Sequence, residues 1–207
     1  MNIERFMLNG GIPMNCYVLE HNKKCFIIDP GYKSDALGQY ISANEFEVIG
    51  ILLTHGHIDH IGALDCFKVP VYIHEIEMDL VIDNYKNGST LVGIPLNYSF
   101  DDITFVPIND KTKIPLDDKL IEVINSPGHT KGGVCYKIDN EILTGDTLFN
   151  YGVGRWDFPT GSLSDLKKSV VSLIDSQDDC CNIYPGHGDL STIGYERKYN
   201  DYYREWQ

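Results

Sequence analysis

The chain opens as short apolar runs separated by turns. Arg5-Phe6-Met7-Leu8, Asn15-Cys16-Tyr17-Val18-Leu19 and Cys25-Phe26-Ile27-Ile28-Asp29 read as a meander of three strands, the last two joined through His21-Asn22-Lys23-Lys24. Asp29-Pro30-Gly31 closes the third strand, and the residues from Ser34 to Ala43 predict a helix capped by Ser34. Val48-Ile49-Gly50-Ile51-Leu52-Leu53-Thr54 is apolar up to its last residue, so it is expected to be a strand buried on both faces. Downstream, a helix is expected to begin near Asp59, a strand to cover Val69 to Ile73, and a helix to cover Glu75 to Ile82. Residues 83–105, with Gly88, Gly93 and Pro95, show no clear period. So long an irregular stretch either borders a substrate pocket or is a surface excursion.

The second half repeats the scheme. Leu120 to Asn125, Gly133 to Ile138, Glu141 to Thr144 and Asn182 to Tyr184 read as strands, with Asp139-Asn140 as a turn. Helices are expected from about Ser164 to Ile174 and from Thr192 to about Trp206. Two sets of strands, each with helices after it, predict sheets packed face to face with helices outside. No linker or repeat interrupts the pattern, so residues 1–207 are expected to form one domain.

Composition narrows the function classes. Hydrophobic content of 43 % and charged content of 23 % suit a soluble globular protein. A net charge of −13 argues against nucleic-acid binding, which needs Lys and Arg to neutralise phosphates. The first residues lack a signal peptide and no run reaches membrane-spanning length, so a cytoplasmic protein without membrane contact is expected. The six cysteines form no CxxC pair and mostly sit in apolar runs, where free cysteine acts as a small hydrophobe.

One stretch has no role in a packed core. Thr54-His55-Gly56-His57-Ile58-Asp59-His60 puts three imidazoles and a carboxylate directly after an apolar strand. Alone it could be a polar loop, but it has companions: Pro127-Gly128-His129-Thr130, Gly145-Asp146-Thr147 and Pro185-Gly186-His187-Gly188 each follow a strand as well. Of seven histidines, only His21 and His74 fall outside these segments. Imidazole and carboxylate are the donors that borderline divalent metals take. Asp29 reads either as a turn residue or as an acceptor for a ligand histidine.

Taken together, the four segments resemble the metallo-β-lactamase superfamily, specifically its glyoxalase II-like (hydroxyacylglutathione hydrolase-like) hydrolases. Asn15-Cys16-Tyr17, Ile28-Asp29-Pro30-Gly31, Leu148-Phe149 with Gly154-Arg155, and Ser191 to Glu196 extend the likeness over nearly the whole chain. The resemblance implies an αββα sandwich of two mixed β-sheets, helices on both outer faces, and a binuclear metal site at one edge. It places His55, His57 and His129 on the first metal, Asp59, His60 and His187 on the second, and Asp146 between them. Zinc is the first expectation, with iron or manganese also suited to such donors.

The activity implied is hydrolysis of a small-molecule acyl-thiol or ester, foremost a thioester of the S-lactoylglutathione type, by a metal-bridging hydroxide. Asp146 and Asp59 are the catalytic carboxylates, Asp59 as a proton shuttle. Glyoxalase II proper carries a further C-terminal helical domain that clamps glutathione. This chain ends at Gln207, just after the superfamily's last helix, so no such domain is expected and the thiol carrier stays open. Arg155, Lys131, Tyr151, Trp156 and Phe158 are the candidate substrate contacts; Arg155 pairing with Asp157, or Trp156 in the core, would be the structural alternatives.

The nearest rival on the same scaffold is a mononuclear-iron persulfide dioxygenase, whose loop Gly154-Arg155-Trp156-Asp157-Phe158 also resembles. Against it, residues 186–190 read Gly-His-Gly-Asp-Leu, where that family resembles His-Asp-Tyr. A lactonase or other small-ester hydrolase is the other alternative. Seven complete donors speak against a non-enzymatic scaffold.

Overall fold

The computed structural model describes residues 1–96 and 98–207; Asn97, within the stretch expected to be irregular, lies outside the described residues. The first half contributes β1 (Asn2–Asn9), β2 (Pro13–His21), β3 (Lys24–Ile28), α1 (Asp35–Ala43), β4 (Glu47–Leu52), α2 (Ile58–Ile61), β5 (Val71–His74), α3 (Met78–Ile82), α4 (Ser89–Val92) and β6 (Phe105–Ile108). The second contributes β7 (Lys113–Leu116), β8 (Lys119–Asn125), β9 (Val134–Ile138), β10 (Glu141–Gly145), the small hairpin β11 (Leu148–Phe149) and β12 (Gly152–Val153), α5 (Leu163–Ser176), β13 (Asn182–Pro185), β14 (Ser191–Thr192), α6 (Ile193–Tyr199) and α7 (Asp201–Trp206).

Both sheets are mixed. The first runs β1-β2-β3-β4-β5-β6, antiparallel through β3 and parallel from β3 to β6. The second runs β14-β13-β10-β9-β8-β7, with β10 and β13 its parallel pair. Alternation along each strand sorts side chains into layers. Tyr17, Leu19, Phe26 and Ile28 meet Ile121, Val123, Tyr136 and Leu143 between the sheets. Their neighbours Cys16, Val18, Cys25 and Ile27 face outward onto Leu37 of α1. On the far side Cys135, Ile142 and Ile183 pack on Leu166, Val170 and Leu173 of α5 and on Tyr203 of α7. Three apolar interlayers between four layers make the expected αββα sandwich.

Local signals account for most boundaries. Ser34 caps α1 through Leu37 N at 3.2 Å, and Ser162 caps α5 through Asp165 N at 3.3 Å. Asn22 and Lys23, at φ 51° and 68°, make the tight turn between β2 and β3. All six cysteines are free. Among the described residues no helix is long and apolar enough to cross a membrane.

Three expectations need correction. The final helix is two helices, broken at Asn200 (φ −75°, ψ 111°), whose side chain accepts from Tyr202 N at 3.1 Å and donates to Gly152 O at 3.1 Å and Glu196 Oε2 at 2.8 Å. Glu75 to Ile82 begins as a 3-10 turn before α3. Finally, β6 and β7 form where no strand was expected. Each is an edge strand carrying a proline, Pro107 and Pro115, a residue that reads as a strand breaker except at an edge.

Candidate metal centre

Every donor segment leaves the C-terminal end of a strand: residues 54–60 after β4, 126–133 after β8, Asp146 after β10 and His187 after β13. The Pro-Gly-His turns need their glycines. Gly128 sits at φ 139° with Leu166 backbone where a Cβ would be, and a Cβ on Gly186 would collide with Asp146 Oδ1. From β2, Asn15 Nδ2 donates to Pro185 O at 3.0 Å and Gly188 O at 2.9 Å, and Tyr17 donates to Pro185 O at 2.6 Å. Those bonds tie the His187 turn of the second sheet to the first.

All seven expected donors converge. Donor atoms of His55, His57 and His129 lie within 4.8 Å of one another, as do those of Asp59, His60 and His187, and those of His55, His60 and Asp146. Asp146 touches both trios: Oδ2 is 3.4 Å from His129 Nε2 and 3.3 Å from His187 Nε2, and Oδ1 is 3.4 Å from His60 Nε2. Asp59 Oδ2 lies 3.3 Å from His187 Nε2.

The outer ring nitrogens explain how the rings are aimed. His60 Nδ1 donates to Asp29 Oδ2 at 2.9 Å, His129 Nδ1 to Arg155 O at 2.6 Å, and His187 Nδ1 to Pro13 O at 2.6 Å. Thr54 Oγ1 donates to Asp29 Oδ2 at 2.6 Å, so its lone pair accepts His55 Nδ1 at 3.1 Å. With Nδ1 protonated, each of these four rings turns the lone pair of Nε2 inward. His57 is reversed: its Nδ1 faces His129 Nε2 at 2.9 Å. Asp29 proves to be both things the sequence allowed, a turn residue at φ 51° and a histidine acceptor.

Electrostatics separate the trios. Burial first, then the neighbouring rings, hold His55 well below the usual imidazole range; burial and His129 bring His57 down to about 3, and burial lowers His129 against the pull of Asp146. Those rings are neutral. Burial also opposes charge on His60 and His187, yet Asp29, Asp59 and Asp146 outweigh it for His60, and Asp146 and Asp59 raise His187 to about 10. Asp146 and Asp59 are lowered, their burial overcome by His187 and His60.

This arrangement fits a pair of divalent cations. His55 Nε2, His60 Nε2 and Asp146 Oδ1 are buried, point inward and have no hydrogen-bond partner. Each such atom costs about 1–3 kcal/mol when left bare. Between His57 Nδ1 and His129 Nε2, 2.9 Å apart, a neutral His57 carrying its proton on Nδ1 donates to His129, and a cation there would replace that proton and take both nitrogen lone pairs. Imidazole nitrogen and carboxylate oxygen suit zinc, iron and manganese alike.

A cavity of about 340 Å³ opens over the donors. Ile12, Ile58, Val92, Phe149, Val153 and Phe158 make its walls apolar, while Lys86 and Arg155 are the cations lining it. Phe158 packs edge-on to His57 with centroids 5.5 Å apart, and Phe149 to His187 at 5.8 Å.

The family model for the metallo-beta-lactamase superfamily matches residues 9–187. The chain belongs to the metallo-β-lactamase superfamily. Among relatives, hydroxyacylglutathione hydrolase GloC of Haemophilus influenzae is 32 % identical over 214 residues, covering 98 % of both chains. Among solved structures, BLEG-1 B3 metallo-beta-lactamase superposes with a TM-score of 0.86 at 30 % identity, covering 98 % of this chain and 99 % of that one. The di-iron-bound form of TTHA1623 gives 0.82 at 26 % identity, with 96 % and 99 % covered.

Within this superfamily frame, the expected substrate contacts divide. Arg155 and Phe158 line the cavity, though Arg155 is a bidentate partner of Asp157 at 2.9 and 2.8 Å and lies 4.3 Å above the Phe158 ring. Tyr151, Trp156 and Lys131 do not line it. Trp156 instead packs against Tyr202 and Trp206 of α7, at 6.4 and 6.5 Å between centroids, because the helix face there is aromatic. Tyr151 turns outward to pair with Tyr195, and Lys131 is exposed beside its loop. The sequence reading missed Lys86, Val92 and Ile12. For the first two the only signal was the irregular stretch itself, which does border the cavity. Asn87 O accepts Ile58 N at 2.8 Å and fixes that wall to the donor loop.

Proposed function

We propose that this protein is a binuclear metal-dependent hydrolase cleaving a thioester of the hydroxyacylglutathione type. The observation that carries the reading is Asp146, one carboxylate within 3.4 Å of nitrogens from both trios. In this reading His55, His57 and His129 would hold one cation and Asp59, His60 and His187 the other, with Asp146 within reach of both. Two divalent cations so held supply Lewis acidity and an acidified water at neutral pH. Zinc is the cation we propose first.

The chain's own residues do the rest. The apolar walls exclude bulk water from the acyl group, and Asp59, which lines the cavity 3.3 Å from His187 Nε2, is placed to take and pass a proton. Lys86 and Arg155 lie where an anionic thiol carrier would extend. Beyond the donor cluster, the described residues lining the cavity include no carboxylic acid or neutral imidazole to protonate a leaving group. A thiolate leaves at neutral pH without one, whereas an alkoxide does not. The name of the GloC relative supports the same substrate class.

A lactam- or lactone-opening activity is the second reading, supported by the likeness to BLEG-1. The metal-loaded protein should be assayed on S-lactoylglutathione, other acyl thioesters, lactones, β-lactams and, with an oxygen electrode, glutathione persulfide. The reading expects the highest kcat/KM on an acyl thioester. Oxygen uptake with no hydrolysis, or ring opening without thioester cleavage, would contradict it.

A further inference from the structure

Glu77 belongs to none of the donor segments, yet it is one of the most deeply placed carboxylates in the molecule, 1 % exposed. It ends the 3-10 turn Glu75–Glu77 between β5 and α3. Its two oxygens serve two different loops: Oε2 accepts Gly56 N at 2.9 Å, and Oε1 accepts Gly132 N at 2.7 Å. Gly56 stands between His55 and His57 in the loop after β4, and Gly132 closes the turn that carries His129 after β8. One buried anion therefore joins the two sheets behind the first trio, whose three histidines come from those two loops alone.

The approach is close on both sides. A Cβ on Gly56 would lie 2.6 Å from Leu80 Cδ2 and from Val81 Cγ2, and one on Gly132 would lie 3.1 Å from Glu77 Oε1. The contact between His57 Nδ1 and His129 Nε2 at 2.9 Å spans the same two loops, so any loosening of the clamp changes it directly. The second trio is held differently, through Asp29 behind His60 and Pro13 O behind His187.

We infer that Glu77 is a positioning residue that sets the His55, His57 and His129 trio for its cation through the backbone of both loops, touching neither cation nor substrate. Burial raises its pKa while the two N–H donors work against that rise, as expected of a carboxylate whose oxygens are both occupied. A glutamine has the same shape but presents an NH2 to one of the two N–H donors, so it can keep only one of the bonds.

The test uses the full chain carrying Glu77→Gln, titrated with Zn2+ against a chromophoric chelator and with Co2+ for its visible spectrum. The expected result is a loss of about 10- to 100-fold in affinity at one site, with the other unchanged and the Co2+ bands of the weakened site altered. Two sites of wild-type affinity and spectrum would overturn the inference. So would equal weakening of both sites alongside a lowered melting temperature of the metal-free protein, which marks a merely structural role. If Glu77→Gln fails to fold, Gly132→Ala displaces the same carboxylate from one side and is expected to weaken the same site; wild-type binding by that variant would equally overturn it. The readout is metal binding, so it stands apart from which substrate is hydrolysed.

Discussion

Replacing Asp29 by Asn changes one atom of a carboxylate that serves three donors. Oδ1 accepts Thr54 N at 2.8 Å; Oδ2 accepts Thr54 Oγ1 at 2.6 Å and His60 Nδ1 at 2.9 Å. Asp29 sits at φ 51°, a left-handed conformation that Asn also tolerates, so the variant adds no backbone strain. The amide oxygen must face the Thr54 N–H, which leaves the NH2 against His60 Nδ1. Donation from that NH2 moves the ring proton to Nε2, the nitrogen aimed at the second cation. Losing a charged acceptor is worth about 1.5–3 kcal/mol. At about 1.36 kcal/mol per tenfold, that corresponds to a loss of about 10- to 150-fold, in line with the usual cost of removing an outer acceptor from a ligand histidine. Competition titration with Zn2+ should show the second site weakened by this amount and the first weakened less, because Thr54 Oγ1, deprived of its acceptor, no longer fixes the His55 proton on Nδ1. Asp29→Asn binding two cations as tightly as the wild type would refute the tautomer argument.

Asp146→Ala removes the oxygen pair shared by both trios; hydrolysis should fall at least about 100-fold while circular dichroism is unchanged, and turnover with both cations retained would contradict the assignment. The carboxylates raise His187 to about 10, above an unfolded value of about 6.5, so its protonated form stabilises the metal-free fold below about pH 6.5 and that contribution is lost as pH rises through about 10. A cation at the second trio must displace the same proton, so its affinity should climb with pH across that window; a flat dissociation constant would count against the site. Lys86→Glu should raise KM for S-lactoylglutathione about two- to fivefold with kcat held, and high salt should erase the difference, measured by steady-state kinetics.

The donor segments were readable because each repeats one local device, a strand running into a glycine turn and then a ligand. Ser34 and the Asn22-Lys23 turn were equally local. What the sequence concealed depends on distant partners. The break at Asn200 rests on Gly152 and Glu196, and β6 and β7 are strands only because an edge excuses Pro107 and Pro115. Trp156 looked like a substrate contact from its place beside Arg155, but the aromatic face of α7 claims it. Lys86 sits in a stretch without periodicity, where length alone hinted at a pocket. Glu77 carried no signal at all, since its partners are backbone groups 21 and 55 residues away.

Anomalous diffraction from zinc-grown crystals tests the central claim most directly. Two peaks are expected, one bounded by His55 Nε2, His57 Nδ1 and His129 Nε2, the other by Asp59, His60 Nε2 and His187 Nε2, with Asp146 reaching both. Zinc absent from that cluster, or found instead at the surface group of His21, Asp117 and Asp118, would contradict the account.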